Sequence, residues 1–142
     1  MRTILLLFLA SLLLFLTSAA RAQQPTFIPV ASVNQLMKAI VIPTSDAIFQ
    51  VAMKAPETDE EWTAMQNNAL TLAESGNLLM IGSRAKDQGD WIKAAQALVN
   101  AGTVAFKAAE AKNEDALIEA GDQVYATCEG CHSRYLEGAQ IG

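Results

Sequence analysis

The sequence predicts an all-α domain, an antiparallel up-down-up-down four-helix bundle. Three observations predict it. Strong helix formers (Ala, Leu, Met, Gln, Glu and Lys) dominate the chain beyond its first residues. No stretch alternates apolar and polar residues for long, as a half-buried strand would. Glycine and proline sit mostly between segments, and short connections between long helices make sequence neighbours antiparallel.

The chain opens with a different kind of segment. Arg2 supplies a positive start, and Ile4 to Leu16 is apolar apart from Ser11. Thr17 to Ala22 follows, with the small-x-small pattern at Ala20 and Ala22. This is the anatomy of a secretory signal peptide over 1–22, cleaved after Ala22. The apolar run is well short of the ~20 residues a spanning helix needs, so no membrane span is expected after cleavage. An uncleaved anchor is the rival reading. Residues 23–142 then form one domain with one core. The whole chain holds 10 Lys and Arg against 15 Asp and Glu, and Arg2 and Arg21 belong to the leader. An acidic domain of this kind argues against nucleic acid, which requires clustered basic residues. It leaves room for a basic partner protein, although a solvated acidic surface explains the same charge.

Gln23 to Val30, with Pro25 and Pro29, reads as an extended lead-in. The first helix is expected from Ser32, its N-cap, to Met53 or Lys54. Val33, Leu36, Met37, Ile40, Ala47, Ile48 and Val51 recur at helical spacing. Pro43 should kink it or break it in two. The second helix starts at Thr58, with Glu61 completing a capping box, and runs through Trp62, Met65, Ala69, Leu72 and Leu79 to about Lys86. After the Gln88-Gly89 turn, Asp90 is expected to cap a third helix through Trp91, Ala95, Leu98, Ala101 and Ala105. Asn113 breaks and recaps the chain. The fourth helix carries Leu117, Ala120, Val124, Cys128, Cys131 and Tyr135 in a seam of threes and fours. The alanine-rich faces of the third and fourth helices permit close approach or leave room for something bulky. The acidic run Glu57, Asp59, Glu60 and Glu61 suits a helix N-terminus, where negative charge favours the dipole.

Both cysteines and the single histidine fall within five positions, Cys128-Glu129-Gly130-Cys131-His132. Three chemistries use such a cluster. A thioredoxin-type dithiol opens a helix after a strand, whereas this motif lies late in a helix of an all-helical chain. A structural zinc site takes four ligands, typically in two pairs, and no second pair exists here. Covalent haem attachment requires this order and spacing: two cysteines form thioethers to the vinyl groups of the porphyrin, and the histidine that follows ligates the iron. Export agrees with this chemistry, and using both cysteines leaves no free thiol. Cys128 and Cys131 are therefore the expected anchors of one haem c, with His132 as proximal ligand. The second nitrogen of His132 should donate to a carbonyl, a water or a carboxylate that holds the ring.

With no second histidine, methionine is the available strong sixth ligand. In an up-down bundle Met37 and Met80 fall at the end that holds His132. Met53 lies roughly 24 Å beyond Met37 along an ideal helix at ~1.5 Å per residue, and Met65 begins the second helix at the far end. The first helix neighbours the fourth, whereas the second sits diagonally from it. Met37 is thus favoured as ligand over Met80. Its rival role is a core side chain packed on the haem face without bonding iron, as methionine commonly does. Trp91 is expected near the porphyrin and Trp62 in the core at the other end. Tyr125 and Tyr135 flank the motif, as pocket lining or as helix-face packing.

A leader, a four-helix bundle and C-x-x-C-H near the C-terminus resemble the cytochrome c′ family. Leu36-Met37-Lys38 is similar to the first-helix segment of its low-spin, c-556-type members. The resemblance implies that Met37 ligates iron, that members often dimerise through helix one, and hence a homodimer. Tyr135 fits the family's aromatic slot after the motif, but Leu136 stands where arginine is usual, and the nearby arginine is Arg134. The expectation is an exported, periplasmic monohaem electron carrier with a redox partner protein, not an enzyme. The alternative is a five-coordinate iron that binds nitric oxide or carbon monoxide, with Met37 only shaping the pocket.

Overall fold

The computed structural model describes residues 27–136. The expected leader over 1–22 and its cleavage site lie outside them. The described chain is all helical, with no strand. Four helical stretches build it, and no helix among the described residues is long and apolar enough to cross a membrane.

The first stretch, α1, is a continuous run of three pieces: Val33–Leu36, a π-helical turn Met37–Val41, and Ile42–Phe49. A 3-10 turn, Gln50–Ala52, finishes it. Ser32 caps the start, and Gln35 closes a capping box by bonding back to the Ser32 N–H. The sequence predicts a kink or a break at Pro43. The run does not break there; it continues through Pro43 with one turn widened. In a regular helix the proline ring would strike the carbonyl of Ala39, and Pro43 offers no N–H. The π turn ends just before the proline, with the Ile42 N–H donating to the Met37 carbonyl, five residues back. Hydroxyls then serve the carbonyls around the insertion. Thr44 Oγ1 donates to Ile40 O (2.7 Å) and Val41 O (3.1 Å), and Ser45 Oγ donates to Ile42 O (3.1 Å). Single π turns of this sort often mark functional sites.

Helix α2 spans Asp59–Leu79 and starts with the expected Thr58–Glu61 capping box. It ends at Leu79, earlier than the predicted Lys86. Ile81 leaves the helix as extended backbone, and Gly82 takes a left-handed φ of 57°, which glycine adopts without strain. A 3-10 turn, Gly82–Arg84, follows.

Helix α3 spans Asp90–Glu110 and α4 spans Glu114–Tyr135. Asp90 does not cap α3 as predicted. It is the first helical residue, and Asp87 does the work instead, its Oδ1 accepting from the N–H groups of Gly89 (2.8 Å) and Trp91 (3.1 Å). Asn113 caps α4 as expected, accepting from Ala116 N–H at 3.0 Å.

The pairing of α2 with α3 is tight. A Cβ on Gly102 would lie 2.7–2.9 Å from the backbone and methyl of Ala73, and one on Gly76 would lie 2.6 Å from Val99 and 2.7 Å from the Ala95 carbonyl. Farther along, the Gln66 amide reaches the Ala109 carbonyl and Asp59 meets Lys112 at 2.6 Å. Between α1 and α4, Gly121 faces Ile48 and Phe49, and the rings of Phe49 and Tyr125 meet edge to face at 6.4 Å. Ile48, Val51, Leu72, Leu117 and Val124 fill the sealed centre, and Trp62 and Met65 close the core at the end where α2 begins.

Candidate cofactor site

The sequence motif sits on the last two turns of α4. Burial of Leu117, Ala120 and Val124 anchors the earlier turns of that helix in the core. The same seam, continued by threes and fours, aims Cys128 and Cys131 inward. Both thiols are partly buried and free. They border a cavity of about 160 Å³ enclosed by α1, α3 and α4 and touched by the end of α2. His132 lines it beside them, and Met37 lines it from α1. The four residues singled out in the sequence are thus brought together on one cavity.

The other methionines lie elsewhere. Met53 is 83% exposed past the end of α1, and Met65 is packed in the core. Met80 packs partly buried against the core and lines neither the cavity nor the groove that adjoins it.

The walls are mostly apolar. Val41 and Leu98 face the space, and Ala94 and Ala95 of α3 keep it open because they carry only methyls. Trp91 closes one side. Its indole N–H donates to the Leu79 carbonyl (2.8 Å), and its ring meets Tyr135 edge-on at 5.0 Å. Ser45 is the polar contribution of α1. Its hydroxyl is already committed to Ile42 O, so the widened turn both satisfies its own carbonyls and turns a largely dry wall to the cavity.

The cavity continues into a wider groove of about 570 Å³, which shares Met37, Leu79, Trp91, Cys131 and His132. Lead-in residues 29–32 form its outer wall, and Tyr135 and Leu136 its lip. Organic cofactors occupy clefts of ~300–1,000 Å³ lined mainly by apolar groups, and this pair of spaces is of that kind.

Burial pushes the Cys128 thiol up, assisted by the neighbouring Cys131, and burial likewise raises Cys131. Dithiol enzymes need the opposite, a thiol lowered toward thiolate. Among the described residues, no three His, Cys, Asp or Glu side chains converge as a metal ion held by side chains alone would require. The donors present, two thiols and an imidazole on one helix facing a thioether across an apolar space, do fit a haem stitched to the chain.

Other residues fall into place around the site. Tyr135 donates its hydroxyl to Asp87 Oδ2 at 2.5 Å, tying the end of α4 to the loop before α3. That bond, with the two backbone N–H donors, holds the Asp87 carboxyl below its usual range and pushes the Tyr135 phenol up. Tyr125 does not line the site and instead meets Phe49 from an exposed position. Arg134 turns away to Asp90 at 2.6 Å, and Leu136 is exposed at the groove's lip.

Sequence reasoning missed Arg84. It is 8% exposed, on the groove wall, with Nε donating to Ala31 O (2.8 Å) and Nη1 to Leu78 O (3.1 Å). Its place depends on the early end of α2 and on a carbonyl distant in sequence, which no local pattern carries. Comparison with family models, with curated proteins and with solved structures returns no match for this chain.

Proposed function

We propose that this chain is an exported monohaem c-type cytochrome that carries single electrons. The observation that carries the proposal is the convergence of Cys128, Cys131, His132 and Met37 on one apolar cavity between helices. In this reading the four stretches form an antiparallel up-down-up-down bundle. Pairings in which numbers rise on α2 as they fall on α3, from Asp59–Lys112 to Gly76–Ala95, support that arrangement. The likeness of the motif and of Leu36-Met37-Lys38 to the cytochrome c′ family supports it further. The signal peptide over 1–22 delivers the chain to the periplasm, where haem c is attached.

Haem, when bound, supplies a one-electron couple between ferrous and ferric iron. The chain does the rest. Cys128 and Cys131 would hold the group covalently on α4. His132 would ligate its iron through an imidazole nitrogen. Met37, on the widened turn of α1 that begins at that residue, would be the second ligand. Val41, Leu98 and Trp91 exclude water, which favours the less charged ferrous state and raises the potential. Four packed helices hold both ligands still, so little rearrangement accompanies transfer to or from a redox partner protein. No acid–base pair is needed.

The test is the optical spectrum of the purified exported protein. The expected result is a low-spin resting spectrum, unaltered by carbon monoxide, with a sulfur-to-iron band that vanishes in Met37→Ala. Retention of the band in that variant would remove Met37 as ligand. A high-spin resting spectrum that shifts with carbon monoxide would favour the gas-binding alternative with an open sixth position.

A further inference from the structure

The groove beside His132 carries a charge pattern that the anchoring motif does not explain. Acidic residues outnumber basic ones in this chain, yet the described walls of the groove hold no Asp or Glu. They hold Arg84 and Lys86 instead, and the other titratable side chains on them are Cys131, His132 and Tyr135. Neither cation takes part in an ion pair among the described residues. The ion pairs there belong to Lys54, Lys93, Lys112 and Arg134.

Arg84 is the telling member. Surface arginines keep their charged heads in water, but this side chain is nine-tenths buried. Burying a cation without an anion is costly, and two backbone carbonyls offset only part of that cost. A guanidinium has five N–H donors, and the bonds to Ala31 O and Leu78 O leave others unused. Arg84 lines one open space among the described residues. That space is the groove. The backbone is shaped to put the group there. The left-handed Gly82 turns the chain out of α2, and Pro29 packs at 3.1 Å from where a side chain at Gly82 would begin. Arg84 then bridges the lead-in to the last turn of α2 and lines the groove.

We propose that Arg84, with Lys86 beside it, is an anion anchor for the two carboxylates of a tetrapyrrole seated in the groove. The proposal rests on the haem reading and adds to it the residues that hold the ring's charged side chains. A haem carries two carboxylates and no other charged substituent on its rim. Arg84 would accept one in its fork, which suits a carboxylate geometrically. Lys86, a point charge on a flexible stem, would pair with the other. The apolar cavity takes the body of the ring and the groove takes its charged edge.

The test uses the full exported chain, loaded with haem labelled with 13C in its two carboxyl groups. Intact mass first shows whether haem is covalently present. A chain without it overturns this proposal together with the reading beneath it. In the loaded wild type, at least one labelled carboxyl should titrate about 1–3 pH units below the ordinary carboxylate range, as beside a fixed cation. Arg84→Met should return that titration to the ordinary range, and Arg84→Lys should keep much of the shift. Lys86→Met should move the second carboxyl and leave the first. Where Arg84→Met fails to fold, the wild-type titration decides. A loaded chain in which both carboxyls titrate as they do in water overturns the anion anchor and leaves the haem reading intact.

Discussion

Two faces of α3 show opposite uses of small residues. Toward α2, Gly102 and Gly76 let backbones approach so closely that a single added methyl has no room. Toward α1 and α4, Ala94 and Ala95 leave a cavity. Ala95 belongs to both, its carbonyl pressed on Gly76 and its residue on the cavity wall. Small side chains therefore do not decide by themselves whether helices close up or stand apart. The partner face decides. The α2–α3 seam can collapse because both sides offer glycine. The other gap is kept open by Trp91, hung from the Leu79 carbonyl, and by an α1 whose widened turn is pinned by Thr44 and Ser45.

That contrast can be broken experimentally. The largest effect is expected at the prop. Trp91→Ala removes a buried aromatic that holds the gap and should cost about 3–5 kcal/mol in urea unfolding. A smaller loss is expected at the seam. Gly102→Ala forces a methyl onto the Ala73 backbone and should cost about 1–3 kcal/mol. The gap should behave differently. In a Cys128→Ala/Cys131→Ala background, which cannot be stitched to a tetrapyrrole, Ala94→Val should cost less than about 1.5 kcal/mol, below the cost at Gly102. In the haem-loaded chain the same substitution should become the more damaging of the two. Equal costs in both backgrounds would mean that the gap is not the cofactor's space.

The smallest effect concerns the Tyr135–Asp87 bond that closes the site's rim. The Tyr135 hydroxyl holds the Asp87 carboxyl below the ordinary aspartate range, so its contribution is present above that range and lost as pH falls through the lower folded value. The same bond raises the Tyr135 phenol above its ordinary range, so its contribution is present below that range and lost as pH rises through the higher folded value. The bond should therefore persist between those limits. Tyr135→Phe should flatten both ends of the stability-versus-pH curve, with little change between them beyond the lost hydrogen bond.

Legibility in the sequence followed locality. The Ser32 and Thr58 caps, the Asn113 recap and the core seam of α4 were readable because each is set by residues three or four apart. The clustering of Cys128, Cys131 and His132 on one cavity was readable because three residues within five positions of one helix stay together. The placement of Met37 with the motif was readable because bundle register sorts methionines by end, and Met53 and Met65 indeed lie away from the cavity. Pro43 announced a disturbance but not its form. A break and a π turn both relieve the same clash, and the hydroxyls of Thr44 and Ser45 favour the second. Asp87 and Arg84 were missed for one reason. Both act from the segment between α2 and α3, where a left-handed glycine and distant carbonyls set the geometry. Helical periodicity says nothing about such a segment.

The central claim is that the chain carries a porphyrin bonded through Cys128 and Cys131, with His132 beneath its iron. Intact-mass measurement of the protein expressed from its full sequence tests it most directly. The predicted result is the mass of the polypeptide plus one haem, a gain lost in Cys128→Ala/Cys131→Ala. The bare polypeptide mass, from a colourless preparation made in cells that attach haem to a control c-type cytochrome, would contradict it.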